Sequence, residues 1–469
     1  MKMKTRLNRL ACLLLCLLMI LPMFGCQSGE VPAETPEGPS QQGSETPEQP
    51  EQPSQPEQPT EPDKPAEPEE VIDMRYEFEY EISQEVLCNY LARAVTISPE
   101  GNNVLNPKTS KHVKKFILNT GAKYICRAAT CWSPHPGDYG THEGQKAFIE
   151  DVHKDDPYVV FEACIFECIS TAVNEIPIPA YVFEAFGLPV EERNFSFDDM
   201  RFADGTYLNQ WGNNTAVPDI TRQETMMFLY HRAVAYIDMG YEGLHMGQVH
   251  LIGRNDKGWK QWTQLLAMIR EYAYANARRG FVFINAHTHG IIGDDDVLLF
   301  DFHMYPSRPM AVGKEAHFPT EDNPQEAEFK VGHSDSIYGK SLGGLTYSGW
   351  ECDTLPYLVE LDNYGDDLSI LNQPKPNDMR TWGMDEITWF VNQPDWYRKD
   401  FLEYAYDWVT NEAPGIGFFA MPGQRVARTY ADETGKTITS YLYMGYDPKN
   451  HKSGNGDELV IKKIWEYAE

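Results

Sequence analysis

Seven short segments of this chain are apolar on both faces of an extended backbone: 122–128 (AKYICRA), 158–167 (YVVFEACIFE), 243–249 (GLHMGQV), 281–287 (FVFINAH), 297–303 (VLLFDFH), 356–362 (PYLVELD) and 417–421 (GFFAM). A strand with one wet face alternates apolar and polar residues, so strands without that alternation belong to a sheet covered on both sides, typically a parallel one. The intervals supply helices to cover it: 110–119 after Pro107, 222–239 from an Asp-Ile-Thr start, 259–279 ahead of a capping Gly280, and 395–409. This order predicts an α/β fold, a (β/α)8 TIM-barrel-like domain over 121–425 whose site lies on the loops after the strand C-termini. One interval departs from it, because the residues from His287 to Val297 leave no room for a crossover helix and GIIGDDD reads as a tight loop or hairpin. Residues 71–120, with Tyr76, Phe78 and Tyr80 in alternation, read as a leading cap, and 426–469 as a C-terminal β/α appendage.

The first 70 residues cannot join that core. Residues 1–26 place Lys2, Lys4, Arg6 and Arg9 before a short apolar run ending in Gly-Cys, which is a secretion signal rather than a spanning helix. Met23-Phe24-Gly25-Cys26 resembles the lipobox of bacterial lipoproteins, which implies cleavage before Cys26, lipidation of its thiol and an extracytoplasmic, membrane-anchored protein. Residues 27–70 hold 11 Pro, 12 acidic side chains and one Lys. From Pro47 to Pro68 the prolines recur every third residue, the period of polyproline II, so this disordered Pro/Glu/Gln-rich linker is a semi-rigid tether.

The net charge of the whole chain is −30. The leader carries four positive charges and no acid, and the linker a net −11, which leaves −23 on residues 71–469. A surface of that sign repels phosphate backbones, and nucleic acid is excluded as a partner. Beyond Cys12, Cys16 and Cys26 the cysteines are Cys88, Cys126, Cys131, Cys164, Cys168 and Cys352. No tight CxxC pair occurs among them, and they read as free or locally paired thiols with no structural metal.

Strand alternation selects the candidate chemistry. Leu358, Glu360 and Asp362 share one face of their segment; Leu299, Asp301 and His303 share one; Phe283, Asn285, His287 and His289 share one. Glu167 and His245 close two further strands, and Gln248 follows the second. Several strands ending in polar groups on a common side converge on one pocket. Paired carboxylates across such a mouth suit glycoside hydrolysis, with Glu360 as nucleophile or base, Asp362 behind it, and Asp301 or Glu167 as the acid. That chemistry needs no cofactor. His245, Gln248, Asn285, His287, His289 and His303 would hold the hydroxyls of a carbohydrate, and Trp350 and Trp382 would stack on its ring. The alternative is a metal-dependent hydrolase with His287, His289, Asp301 and His303 as ligands.

The segments GYEGLHMGQVHL, GFVFINAHTHG and GWECDTLPYLVELDNYG, within 120–425, resemble the barrel-type glycoside hydrolases found among exported bacterial lipoproteins. The resemblance implies a carbohydrate substrate and carboxylates at strand ends. The large retaining clan of that fold carries an Asn-Glu pair after its fourth strand, where this chain has Met246-Gly247-Gln248, so a catalytically inactive carbohydrate-binding barrel is a third reading. No Walker A loop, GxGxxG turn, GxSxG elbow or HExxH helix occurs.

Overall fold

A computed structural model describes residues 73–98, 110–136, 142–313, 317–363, 379–430 and 438–468. The expected signal, its Cys26 and the linker lie outside the described residues. One sheet holds β1 (Ala94–Ile97), β2 (Tyr124–Cys131), β3 (Val160–Ile165), β4 (Gly243–His245), β5 (Phe283–His287), β6 (Phe302–Pro306), β7 (Tyr357–Glu360), β8 (Gly417–Phe419), β9 (Met421–Tyr430) and β10 (Ile438–Met444). Its strand order is β8-β7-β6-β5-β4-β3-β2-β1-β9-β10, parallel throughout except for β9 with β10.

Strands β8 and β9 are separated by Ala420 alone, yet β8 pairs with β7 and β9 with β1. The Ala420 N–H donates to Val359 O at 2.8 Å, and Ser98 N–H to Gln424 O at 2.8 Å. One continuous stretch thus bonds to strands at opposite ends of the order, which requires the sheet to curl until those ends lie side by side.

The curl creates an inside and an outside, and the unbroken apolar runs are explained because each must be filled. Tyr124, Cys126, Val160, Phe283, Phe302, Met304, Leu358, Phe418 and Ala420 pack inside, together with Tyr76, Phe78, Ile82 and Tyr90 from the segment around α1 (Gln84–Leu91). Ile125, Phe161, Leu244, Ile284, Val359 and Phe419 point outward to the apolar faces of the surrounding helices. These are α2 (Lys111–Thr120), α3 (His142–His153), α4 (Gln223–Asp238), α5 (Lys260–Asn276), α6 (Glu386–Val391), α7 (Asp395–Asp407) and α8 (Glu458–Tyr467). Helix α2 ends on Gly121 in the left-handed region with its N–H returning to Ile117 O, whereas α5 ends at Asn276 on an extended Ala277 and not at the expected Gly280.

Two expectations are corrected. The stretch 71–120 is not only a cap: it contributes β1, four residues too short to stand out as a run. The strand expected from Val297 begins only at Phe302, where it pairs parallel with β5, while GIIGDDD makes the tight hairpin turn expected of it, with Gly293 N–H donating to Val297 O at 2.8 Å and Leu299 N–H to Ile291 O at 3.0 Å. The later start leaves residues 288–301 as a helix-free crossover.

Phe283 lies at the centre of the inner packing, with ring centroids 5.3 Å from Phe78, 5.5 Å from Tyr90 and 5.6 Å from Tyr124. Its truncation leaves a cavity that close-packed neighbours cannot fill. We expect Phe283→Ala to lower unfolding free energy by about 3–5 kcal/mol in urea titration, whereas a loss below about 1 kcal/mol would show the inner face to be loosely packed.

Candidate functional site

The site is organised by an arginine that interrupts a strand. Between Ile125 and Ala129 the pairing of β2 with β3 slips, and Arg127 within that bulge has φ 58°. A non-glycine residue in that region costs about 1–3 kcal/mol and persists where its surroundings hold it. The hold is ionic. Arg127 Nε donates to Glu360 Oε1 at 2.7 Å and Oε2 at 2.8 Å, and its Nη2 also contacts Oε1. From β9, Arg425 Nη1 donates to Glu360 Oε2 at 3.1 Å and Leu361 O at 2.8 Å. Glu360 is therefore clasped by two guanidiniums, and Arg127 lies 3.7 Å from Asp362 Oδ1.

A second clasp fixes the ends of β6 and β7. Glu386, at the start of α6, accepts from Ser307 Oγ at 2.8 Å, Arg308 N at 3.1 Å, Arg308 Nη1 at 2.9 Å and Asp362 N at 3.2 Å. Arg308 Nε also reaches Asp335 Oδ1 at 2.7 Å, and Tyr305 OH donates to Asp335 Oδ2 at 3.1 Å. The backbone of Asp362 is thereby fixed from one side while its carboxylate faces Arg127 on the other.

These surroundings drive the acids in opposite directions. Burial opposes the charge on Asp362, but the cations around it, Arg127 foremost, outweigh that and hold its carboxyl below the usual aspartate range. Glu167 is pushed up by burial, although Gln248 donates to it through its backbone N–H at 3.0 Å and its side-chain amide at 2.8 Å. Glu162 is pushed up to about 7 by burial, despite donors from Asn285, Tyr124 and the Arg127 N–H. Burial brings His245 down to about 3 and His287 down to about 4, so both rings are neutral at pH 7.

Glu360, Asp362, His245, Asn285 and His287 come together at the C-terminal end of the sheet. His245 Nδ1 lies 2.7 Å from Asn285 Oδ1, and its ring is 6.0 Å from that of His287. Glu167 and Gln248 adjoin them, since the His287 N–H donates to Gly247 O at 2.9 Å. His289 stands at the rim, 3.0 Å from Asp335 O and stacked on Tyr305 at 4.6 Å.

Four expected members stand elsewhere. Phe302 and Met304 are the inward residues of β6, so Asp301 and His303 face outward. Asp301 accepts from Ile284 N at 2.7 Å and pairs with Arg270 of α5, while His303 Nδ1 meets Ser341 Oγ at 2.8 Å. Trp350 donates through Nε1 to Ile82 O in the N-terminal plug, and Trp382 is buried with its Nε1 on Glu326 O. The fully buried Trp382 offers no free ring face, and Trp350 is tied to the N-terminal segment. The alternative metal set His287, His289, Asp301 and His303 is likewise split between two faces of the sheet, and among the described residues no group of three or more His, Cys, Asp or Glu could hold a metal ion. The exposed aromatic corner is instead Trp132, 42% exposed, beside Phe166 at 5.2 Å and Trp211 at 5.3 Å.

Arg127, Glu162, Arg308, Asp335, Glu386 and Arg425 are the site residues that sequence reasoning missed. For two of them a signal existed: Arg127 and Glu162 are charges inside otherwise apolar strand runs, which signals a buried partner. Arg308, Asp335 and Glu386 lie in loops or at an element end, where a charge is unremarkable, and Arg425 lies within β9, in a stretch expected to be strand only as far as Met421.

No family model matches the sequence, and no curated protein does. Among solved structures the chain is similar to an α-galactosidase from Thermus thermophilus in complex with stachyose, at 12% identity and TM-score 0.26, over 43% of this chain and 44% of that one. It thus spans less than half of that enzyme's length. It is also similar to the Nostoc punctiforme debranching enzyme, at 14% identity, TM-score 0.36 and 81% of each chain. A third is the type III pullulan hydrolase from Thermococcus kodakarensis, at 11% identity and TM-score 0.36, over 81% of this chain and 64% of that one.

The raised acid gives a signed dependence on pH. A carboxyl whose folded pKa is raised contributes stability that is full below its unfolded value of about 4.5 and is lost as pH rises through about 7. Glu162→Gln removes that group from the balance. We expect the melting temperature of the variant, relative to the parent, to climb as pH is raised from about 5 to about 8; a constant offset across that range would mean that Glu162 is ionised throughout.

Proposed function

We propose that this protein is an exported, lipid-anchored enzyme with a (β/α)8 fold that hydrolyses a glycosidic bond at the C-terminal mouth of the curled sheet. The consecutive order of β8 through β1 and the one-residue step at Ala420 support the eight-stranded reading. The observation that carries the activity is the divergence of two acids at one mouth, Asp362 held ionised and Glu167 pushed towards its neutral form. A glycosidase requires that division of labour.

In this reading Asp362 is the nucleophile or base and Glu167 protonates the leaving oxygen. Glu360, committed to Arg127 and Arg425, anchors the charges that keep Asp362 ionised. His245, Gln248, Asn285, His287 and His289 hold sugar hydroxyls, and the corner of Trp132 and Phe166 takes a ring face. Two carboxyls suffice for the reaction, and no cofactor is required. A binding domain without turnover is the second reading, favoured by Gln248 where the retaining clan has its acid.

A panel of p-nitrophenyl α- and β-glycosides tests the first reading. We expect one of them to be cleaved, and Asp362→Asn and Glu167→Gln each to lower kcat by about 10²–10⁴-fold with melting temperature retained. Wild-type rates in both variants would overturn the assignment, and glycoside binding without turnover would establish the second reading. For the anchor, the parent chain should partition into the detergent phase of Triton X-114 extracts of expressing bacteria and Cys26→Ser into the aqueous phase; equal partitioning would exclude lipidation at Cys26.

A further inference from the structure

A buried polar chain runs across the inside of the sheet behind the proposed catalytic acids. Tyr124 OH donates to Glu162 Oε2 at 2.9 Å, the Arg127 N–H to Oε1 at 3.3 Å, and Asn285 Nδ2 to Oε2 at 2.6 Å. Glu162 and Asn285 are fully buried and His245 is 2% exposed. With donors on both oxygens, Glu162 acts as acceptor when it is ionised, above about pH 7, and this orients the Asn285 amide with its N–H towards Glu162. Its Oδ1 is thereby turned to His245 Nδ1 at 2.7 Å, a contact that is a hydrogen bond only if Nδ1 carries the proton. The other ring nitrogen, Nε2, then bears a lone pair. The ring stands 6.1 Å from Phe166 and 6.0 Å from His287, both at strand ends, and Nε2 has no hydrogen-bond partner among the described residues.

We propose that Glu162 and Asn285 are positioning residues that lock His245 in the Nδ1–H tautomer, so that Nε2 accepts a hydrogen bond from one hydroxyl of the bound sugar and makes that hydroxyl a requirement of the substrate. The inference rests on the glycosidase reading and adds to it a specificity determinant that works by acceptance alone. A glycoside lacking the hydroxyl would leave a desolvated lone pair unpaired, and a site built to bond a hydroxyl rejects the deoxy analogue far more strongly than an apolar pocket rejects a missing methylene.

The ligand-free protein gives the first test. In ¹⁵N-histidine-labelled full-length chain at about pH 8, where Glu162 is ionised, the His245 signal, assigned by its loss in His245→Phe, should show a protonated Nδ1 and an unprotonated Nε2. Asn285→Asp, which keeps an acceptor for Nδ1–H, should retain that pattern, and Asn285→Val should release the ring to a mixture of tautomers. An Nε2–H tautomer or an imidazolium in the parent spectrum would overturn this inference while leaving the glycosidase reading intact. Should Asn285→Val fail to fold, the parent and Asn285→Asp spectra still decide.

The second test takes the p-nitrophenyl glycoside that the enzyme cleaves together with its monodeoxy derivatives. One derivative should lose about 10⁴-fold in kcat/KM with the parent, and His245→Phe should abolish that one preference while keeping the others. Unchanged preference in His245→Phe would refute the role of Nε2. If no glycoside is cleaved or bound, the functional reading itself fails and carries this inference with it.

Discussion

Glu360 is shared by Arg127 from β2 and Arg425 from β9, and this clasp joins three strands across the inside of the curled sheet. Charges so deeply buried are expensive to desolvate, and removing one member of such a group costs about 3–5 kcal/mol because the others are left without a partner. The bulge at Arg127 belongs to the same account, since a regular β2 would send its side chain elsewhere. Local strain in one strand, the ion pairs of a second and the position of a third are therefore one arrangement. Its consequence reaches Asp362, two residues beyond Glu360 on the same face of the chain, which lies in the field of cations assembled to satisfy its neighbour.

The chemical potential of the site comes from unequal solvation of like groups. Asp362 and Glu167 are both nearly excluded from water, and they differ in whether fixed positive charge replaces the lost hydration. Glu386 adds mechanical definition. By accepting from the ends of both β6 and β7 it fixes the backbone that carries Asp362, while burial pushes its own carboxyl up to about 7. Polar groups buried to this extent rigidify a structure when each has its partner.

Much of the architecture was legible in the residues. The runs lacking alternation marked strands β2 to β8 because a sheet curled on itself has no wet face, and the intervals between several of them marked helices. The shared face of Leu358, Glu360 and Asp362 was legible for the same reason, since strand alternation is a local property. It failed for Asp301 and His303. Alternation tells which residues lie together and not which face is inside, and Phe302 and Met304 claimed the interior. Trp350 and Trp382 illustrate another limit, for an indole satisfies packing and recognition alike, and only its neighbours distinguish them.

From the sequence alone follow the α/β class, the segments that make the sheet, and a set of polar strand ends suited to acid–base chemistry. All of these are set by periodicity and composition, which act over a few residues. The tertiary structure decided which acids are satisfied by arginines, which face of β6 turns inward, and which side chain meets Nδ1 of His245. Those outcomes depend on partners scores to hundreds of residues away: Arg127 and Glu360 stand 233 positions apart, and Asn285 and Glu162 123. No local pattern encodes a pairing over such separations, because folding brings the two charges together only when the sheet curls.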